Sequence, residues 1–310
     1  TPCGTLFPYT TLFRSSREIF PLLRRRAIFA SSASFRLYDL YRDDGSPDEN
    51  VFAYSNRAGD ERALVVFNNS YERTAGRVHR SASFAVKHGD GSKVEMSESL
   101  ADALSLDGGE DAFCIFREQR SELWFIRKAS EIRARGLYVA LQGFQTSVFL
   151  DIHQRHDSPE GDLARLEREL GGSGVSNIDH ALLGLELRPA QHAFAATVGE
   201  RLYRELDDAL LGSRAIEEER FNEIRSGYRR FLDKLISYRA ATRPLGIGVT
   251  SLERRLSTAV SLPYLDTSAM RTAEVRRAVG AYLTGLRDRP DRRRLIVGWI
   301  CTAPVVELYE

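Results

Sequence analysis

Residues able to do chemistry are few in this chain, and they are scattered. His156-Asp157 sets an imidazole beside a carboxylate, a pairing that general acid–base catalysis can use. Gln154 and Arg155 precede it, and it falls in HDSPEG (156–161), which reads as a linker, so no catalytic role is expected there. Asp48-Glu49 and Glu217-Glu218-Glu219 are carboxylate clusters. The first reads as a solvated turn, and the second as acid placed favourably at a helix start. His153 and His156 lie three apart with no third ligand close in sequence, so a metal site is not indicated. Gly246-Ile247-Gly248 lacks a third glycine, a following lysine and a preceding strand, so it is not a phosphate loop. What remains is the chemistry of aromatic faces. Tyr41, Tyr54, Tyr71 and Trp124 are the residues that could stack on sugar rings, weighed against packing in a core or across strands. No catalytic residue, cofactor or metal ion is expected.

The elements that would carry these residues change character along the chain. Val51–Asn56 alternates, Arg57–Asp60 is polar and carries a glycine, and Ala63–Phe67 is a continuous apolar run. That pattern predicts a hairpin whose second strand is covered on both faces. Phe35–Tyr41, Gly76–Val86, Lys93–Met96, Phe113–Phe116, Leu123–Ile126, Leu137–Phe144 and Thr146–Ile152 are further strand candidates. Glu18–Ala30 and Ala129–Arg135 read as helices, and Ser97–Leu104 as a helical turn capped by Ser97. Beyond residue 161 the strand signals cease. Asp162–Leu170, Asn177–Leu185, a helix opened by Pro189 and reaching Leu211, Ile216–Tyr238, Leu252–Leu262, Thr272–Leu286 and Arg292–Cys301 are helix candidates. Pro244, Gly246 and Gly248 are expected to break the run between two of them. The fold class is therefore α+β: a β-rich, sandwich-like domain over residues 31–156, followed by an α-helical domain over 157–310.

Several stretches also resemble a known family. VFAYSNRAGDERALVVFNNSYERTAG is similar to the region just after the catalytic barrel in large bacterial α-amylase-type enzymes of glycoside hydrolase family 13. FPLLRRRAIFASSASFRLYDLY (Phe20–Tyr41) resembles the last helix and first strand of that region. GLYVALQGFQTSVFLDI and GGSGVSNIDHALLGLEL, within Gly136–Leu187, resemble its continuation. The likeness runs from about Ser16 to Pro189. It implies that residues 16–30 are the terminal helix of a missing barrel and that 31–156 form an accessory domain. The parent would act on α-glucans by a retaining double displacement, with the barrel of the same chain and α-glucan as the partners of this fragment. The family's paired catalytic carboxylates belong to the barrel, so the fragment itself is expected to be inactive. Two other readings remain open. One is a stand-alone carbohydrate-binding or protein-interaction module. The other is a helical nucleic-acid binder using Arg271–Arg294, where eight arginines face three acids; a solvated helix surface with ion pairs accounts better for that stretch.

Thr5–Ser15 (TLFPYTTLFRS) matches the translation of a common sequencing-library adapter through every codon, so residues 1–15 are expected to be non-native and no part of the fold.

Composition bounds the rest. The 310 residues suffice for about two domains, and 43% hydrophobic with 28% charged residues describes an ordinary globular chain. A net charge of +1 does not favour a polyanion partner for the whole molecule. Only Lys87, Lys93, Lys128 and Lys234 are lysines among 44 basic residues, a bias that fits a GC-rich gene. Cys3, Cys114 and Cys301 show no disulfide or zinc spacing, which fits a reducing, cytoplasmic setting. No stretch has the roughly 20 apolar residues of a membrane span.

Overall fold

The computed structural model describes residues 20–87, 89 and 92–310. The adapter-like segment 1–15 lies outside these residues. The described residues form two compact units, 20–182 and 183–310, and the class is α+β, with an antiparallel sheet in the first and helices in the second.

In the first unit, α1 (Phe20–Arg24) and α2 (Arg26–Ala30) precede β1 (Arg36–Tyr41), β2 (Val51–Ala58), β3 (Glu61–Asn68) and β4 (Thr74–Ser81). A small hairpin, β5 (Phe84–Lys87) and β6 (Lys93–Met96), and α3 (Leu100–Ala103) follow. Then come β7 (Ala112–Glu118), β8 (Trp124–Lys128), α4 (Ala129–Arg135), β9 (Leu137–Leu141), β10 (Thr146–His156) and α5 (Asp162–Leu170). Eight strands join in one antiparallel ladder, ordered β8-β7-β10-β3-β2-β1-β4-β9. The sheet curls about its own core. Tyr38, Leu40, Val66, Val78, Phe116 and Val139 on its inner face close over Leu100 and Leu104 near α3 and Ile132 of α4.

The central hairpin β2–β3 pairs without a slip from Val51↔Asn68 to Ala58↔Glu61, turning at Gly59 with φ +61°. β3 is covered on both sides because its neighbours differ. Leu64 and Val66 enter the inner core, whereas Ala63 and Val65 pack with Val148 and Leu150 under Ile28 of α2. Phe67 is only half-buried. Within β10, Asp151 adopts φ +53° and the pairing with β7 shifts between Leu150 and His153. This bulge reverses the side-chain alternation. Leu150 lies in the outer cluster, and Ile152 returns to the inner one. The Asp151 carboxylate holds Arg25 and, at 3.1 Å, Arg117.

The second unit contains most of α6 (Ile178–Thr197), then α7 (Glu200–Leu211), α8 (Glu218–Tyr238), α9 (Leu245–Ser261), α10 (Ala273–Asp288) and α11 (Pro290–Tyr309). Leu202, Leu206, Tyr228, Leu232, Leu256 and Ile300 are among its buried residues. The Tyr228 hydroxyl donates to the Cys301 carbonyl at 2.6 Å. Arg293, 7% exposed, donates to Asp207 at 2.6 Å and to the Leu286 carbonyl at 2.7 Å.

Several elements depart from the expectations. Pro189 does not open a helix; it sits inside α6, which runs on to Thr197. Packing of Ala190 and Phe194 into the helical core offsets the lost backbone hydrogen bond. Gly246 and Gly248 do not break a helix; both lie within α9, which starts directly after Pro244. At Gly248 a Cβ would stand 3.0 Å from Leu232 and 3.1 Å from Leu308, so glycine there lets three helices approach closely. Gly76–Val86 is two strands, broken at Ala82-Ser83, and the cap of α3 is Ser99, not Ser97: its hydroxyl accepts from Asp102 N.

Candidate functional site

The most concentrated surface chemistry in the first unit is a row across β1, β4 and β9. Pairing sets Tyr41 opposite Arg77, and Arg77 opposite Tyr138. All three stand on the outer face, because Leu40, Val78, Leu137 and Val139 take the inner one. Tyr41 is 40% and Tyr138 46% exposed. The Arg77 guanidinium lies 5.7 Å from the centre of the Tyr138 ring, within cation–π range. Its Nη1 also donates to the Gly136 carbonyl at 3.2 Å and approaches Glu131 at 3.5 Å. Two strand spacings separate the tyrosines by about 9.5 Å.

The surroundings hold this row in place. A Cβ at Gly76 would stand 2.3 Å from the Tyr41 carbonyl oxygen, so only glycine lets β4 lie this close to β1 at that point. Tyr41 also bridges to Pro47, and the loop between β1 and β2 is tied back by Asp48 N donating to the Leu40 carbonyl at 2.8 Å. Asp48 is not the solvated turn residue that its sequence context suggests. It is 4% exposed, pairs with Arg42 at 2.9 Å, and accepts from Thr74 Oγ1 and Asn50 N. Burial opposes its ionisation, but the hydrogen bonds from Thr74 and Asn50 and the Arg42 charge outweigh it, so its pKa lies below the usual carboxylate value.

The four aromatics singled out in the sequence do not gather at one place. Tyr41 belongs to the row. Tyr71, 89% exposed, meets the edge of Phe144 with ring centres 4.5 Å apart. Phe144 follows β9, and Tyr71 precedes the Thr74↔Leu141 pair, three residues along β4 from Arg77 and so ~10 Å away. Tyr54 is half-buried between Phe29 and Phe35, with ring centres at 6.3 and 5.4 Å, and burial raises its phenol pKa. Its surroundings are those of a packing residue. Trp124, half-buried on β8, has Arg117 5.8 Å from its ring and His153 edge-on at 6.0 Å. Tyr138 and Arg77 were not singled out. Tyr138 shows only as the polar-edged member of an alternating LYVAL, and nothing local pairs β9 with a strand some sixty residues earlier.

The other clusters have structural employment. Asp157 accepts from Leu163 N at 2.7 Å and Ala164 N at 3.1 Å, capping α5. His156 Nδ1 lies 3.1 Å from Asp111, both exposed. Glu217 precedes α8, with Glu218 and Glu219 in its first turn. Among the described residues no group of three His, Cys, Asp or Glu side chains could hold a metal ion. Cys114 and Cys301 are buried, which pushes their thiols up to about 12 and about 11, far from nucleophilic at neutral pH. Comparison with family models, curated proteins and solved structures returned no match. No helix among the described residues is long and apolar enough to cross a membrane.

The row offers contacts of two kinds. Two phenol rings offer apolar faces to a sugar ring, and their hydroxyls and the guanidinium offer hydrogen bonds to sugar hydroxyls.

Proposed function

We propose that this chain is a non-catalytic accessory portion of an α-amylase-type glycoside hydrolase, and that Tyr41, Arg77 and Tyr138 contact its α-glucan. The observation that carries the reading is the pair of exposed tyrosines, Tyr41 and Tyr138, flanking the half-buried Arg77 on one sheet face. The resemblance of residues 16–189 to the post-barrel region supplies the substrate class. A second feature fits a catalytic barrel packed upstream. On the outer sheet face Leu37 and Phe52 are 52% and 55% exposed, and Phe20 and Leu23 of α1 are 53% and 58% exposed. Apolar surface of this kind is ordinarily covered by a neighbouring domain. The nucleic-acid reading has less in its favour, because Arg293, near the end of the basic stretch, is spent on Asp207.

Affinity electrophoresis through gels containing glycogen or amylopectin tests the glucan contact. Tyr41→Ala and Tyr138→Ala should each weaken retardation, by roughly tenfold in Kd if one stacking contact contributes about 1.4 kcal/mol. Tyr54→Leu, at a packed position, should not. Equal retardation of all variants would refute the row as the contact. The chain should also release no reducing sugar from starch above a heat-killed control. Turnover that disappears in Asp157→Ala would instead make His156-Asp157 an active site.

A further inference from the structure

In the helical unit, α11 is apolar on nearly every side. Val297, Ile300, Cys301 and Leu308 fill the core, as one buried face requires. A second apolar stripe points outward: Leu295 is 75%, Trp299 56% and Val306 55% exposed, with Thr302 between them and also exposed. At 100° per residue these four positions fall within a wedge of about 60°. A helix surrounded by water needs only one apolar face, so the second calls for a partner.

The stripe has two unlike halves. Its N-terminal half projects, through Leu295 and the open side of Trp299, whose ring has the Arg255 guanidinium 4.4 Å from its centre. Its C-terminal half is recessed: Thr302, Val305 and Val306 border an apolar hollow of about 450 Å³ floored by Leu187, Phe194 and Phe231. Charge divides the same way. Arg292 stands exposed at the start of α11 and Glu310 exposed at its end, with no charged residue from Leu295 to Val306; Glu307 is taken by Arg255 of α9, and Arg294 donates to the Tyr203 hydroxyl at 3.3 Å. Gly298, on the flank of the stripe beside Leu295 and Thr302, has open space where a Cβ would lie, so another helix backbone can come close there.

We infer that this face binds a second copy of the chain, with the two α11 helices antiparallel about a two-fold axis near Thr302. An isologous contact requires one surface to complement itself when turned over. Here the projecting half of each copy lies on the recessed half of the other, Arg292 of each helix meets Glu310 of its partner, and the helix dipoles oppose favourably. The contact is short, because Leu295–Val306 spans only about 18 Å. It is therefore a reversible interface at the small end of the range, dissociating on dilution.

Sedimentation equilibrium of the intact chain across a concentration series reads this directly. The expected result is a monomer–dimer equilibrium that Trp299→Asp weakens at least tenfold. Trp299 is more than half exposed, but the Arg255 guanidinium lies 4.4 Å from its ring centre, so circular dichroism of that variant should match the parent while its Tm falls by a few degrees, as it should equally in Trp299→Ala. Arg292→Glu or Glu310→Arg alone should weaken association, and the two together should restore it. A chain that stays monomeric at its highest soluble concentration overturns the inference. So does a dimer indifferent to Trp299→Asp, or a charge-swapped pair no better than its parents. Trp299-dependent flotation of a monomeric chain with anionic phospholipid vesicles would also overturn it, assigning the stripe to a lipid surface.

Discussion

Asp48 shows how far one residue can differ from its local context. It sits among Asp43, Asp44 and Glu49, yet it is buried and ties the β1–β2 loop to β4 through Thr74. Removing its acceptors would leave the half-buried Thr74 hydroxyl and the Asn50 N–H without these partners. Asp48→Ala should therefore cost about 1–3 kcal/mol in urea denaturation. The pH dependence follows from the lowered pKa. A carboxyl with a folded pKa below its unfolded value of ~3.9 stabilises the native state above that pH, and the contribution fades as pH falls through the folded pKa. The stability gap between parent and Asp48→Ala should be full at pH 7 and shrink below about pH 4. A gap unchanged at pH 3 would mean that Asp48 acts without its charge. The same residue supports Tyr41, so this variant should also loosen the aromatic row.

At the scale of elements, the bulge in β10 decides which residues face which core. Without it, Ile152 would share a face with Leu150 and the inner core would lose one of its members. Asp151 holds the bulge through a left-handed backbone and two arginines that are themselves about one-third exposed. Such ion pairs contribute at most about 1 kcal/mol, whereas a side chain at positive φ costs roughly 1–2 kcal/mol. Asp151→Ala loses the pairs and keeps the strain; Asp151→Gly loses the pairs and relieves it. The alanine variant should thus be less stable than the glycine variant by about 1 kcal/mol. Equal stabilities in chemical denaturation would argue against the left-handed conformation. Gly76 and Gly248 make the complementary point that the closest element contacts occur where a Cβ is missing.

Across the whole molecule, the sheet unit and the helical unit have separate cores with no residue in common. Each encloses enough apolar side chain to melt as its own cooperative block. The two tryptophans report on them separately, Trp124 in the first unit and Trp299 in the second. Trp124→Phe leaves a probe of the helical unit, and Trp299→Phe a probe of the sheet. Their urea transitions, followed by fluorescence, should differ in midpoint or slope. Superimposable curves would show one cooperative block instead.

The sequence by itself determined what depends on local period and local chemistry. Alternation over Val51–Asn56, the glycine turn and the apolar run to Phe67 are enough to specify the central hairpin, and the three-and-four spacing of Ile224, Tyr228, Phe231 and Leu232 is enough to specify α8. Both patterns are intrinsic to one segment, and so is the shift from strands to helices that makes the class α+β. The tertiary structure alone decided matters that require a distant neighbour. Pairing β4 with β9 created the Tyr41–Arg77–Tyr138 row from residues up to 97 positions apart. Burial under Thr74 and Arg42 made Asp48 structural. Packing let α6 run through Pro189 and α9 through two glycines that local propensity treats as breaks. The second apolar face of α11 was equally hidden, because an all-round apolar helix does not say which side its own core will take until the other helices are in place.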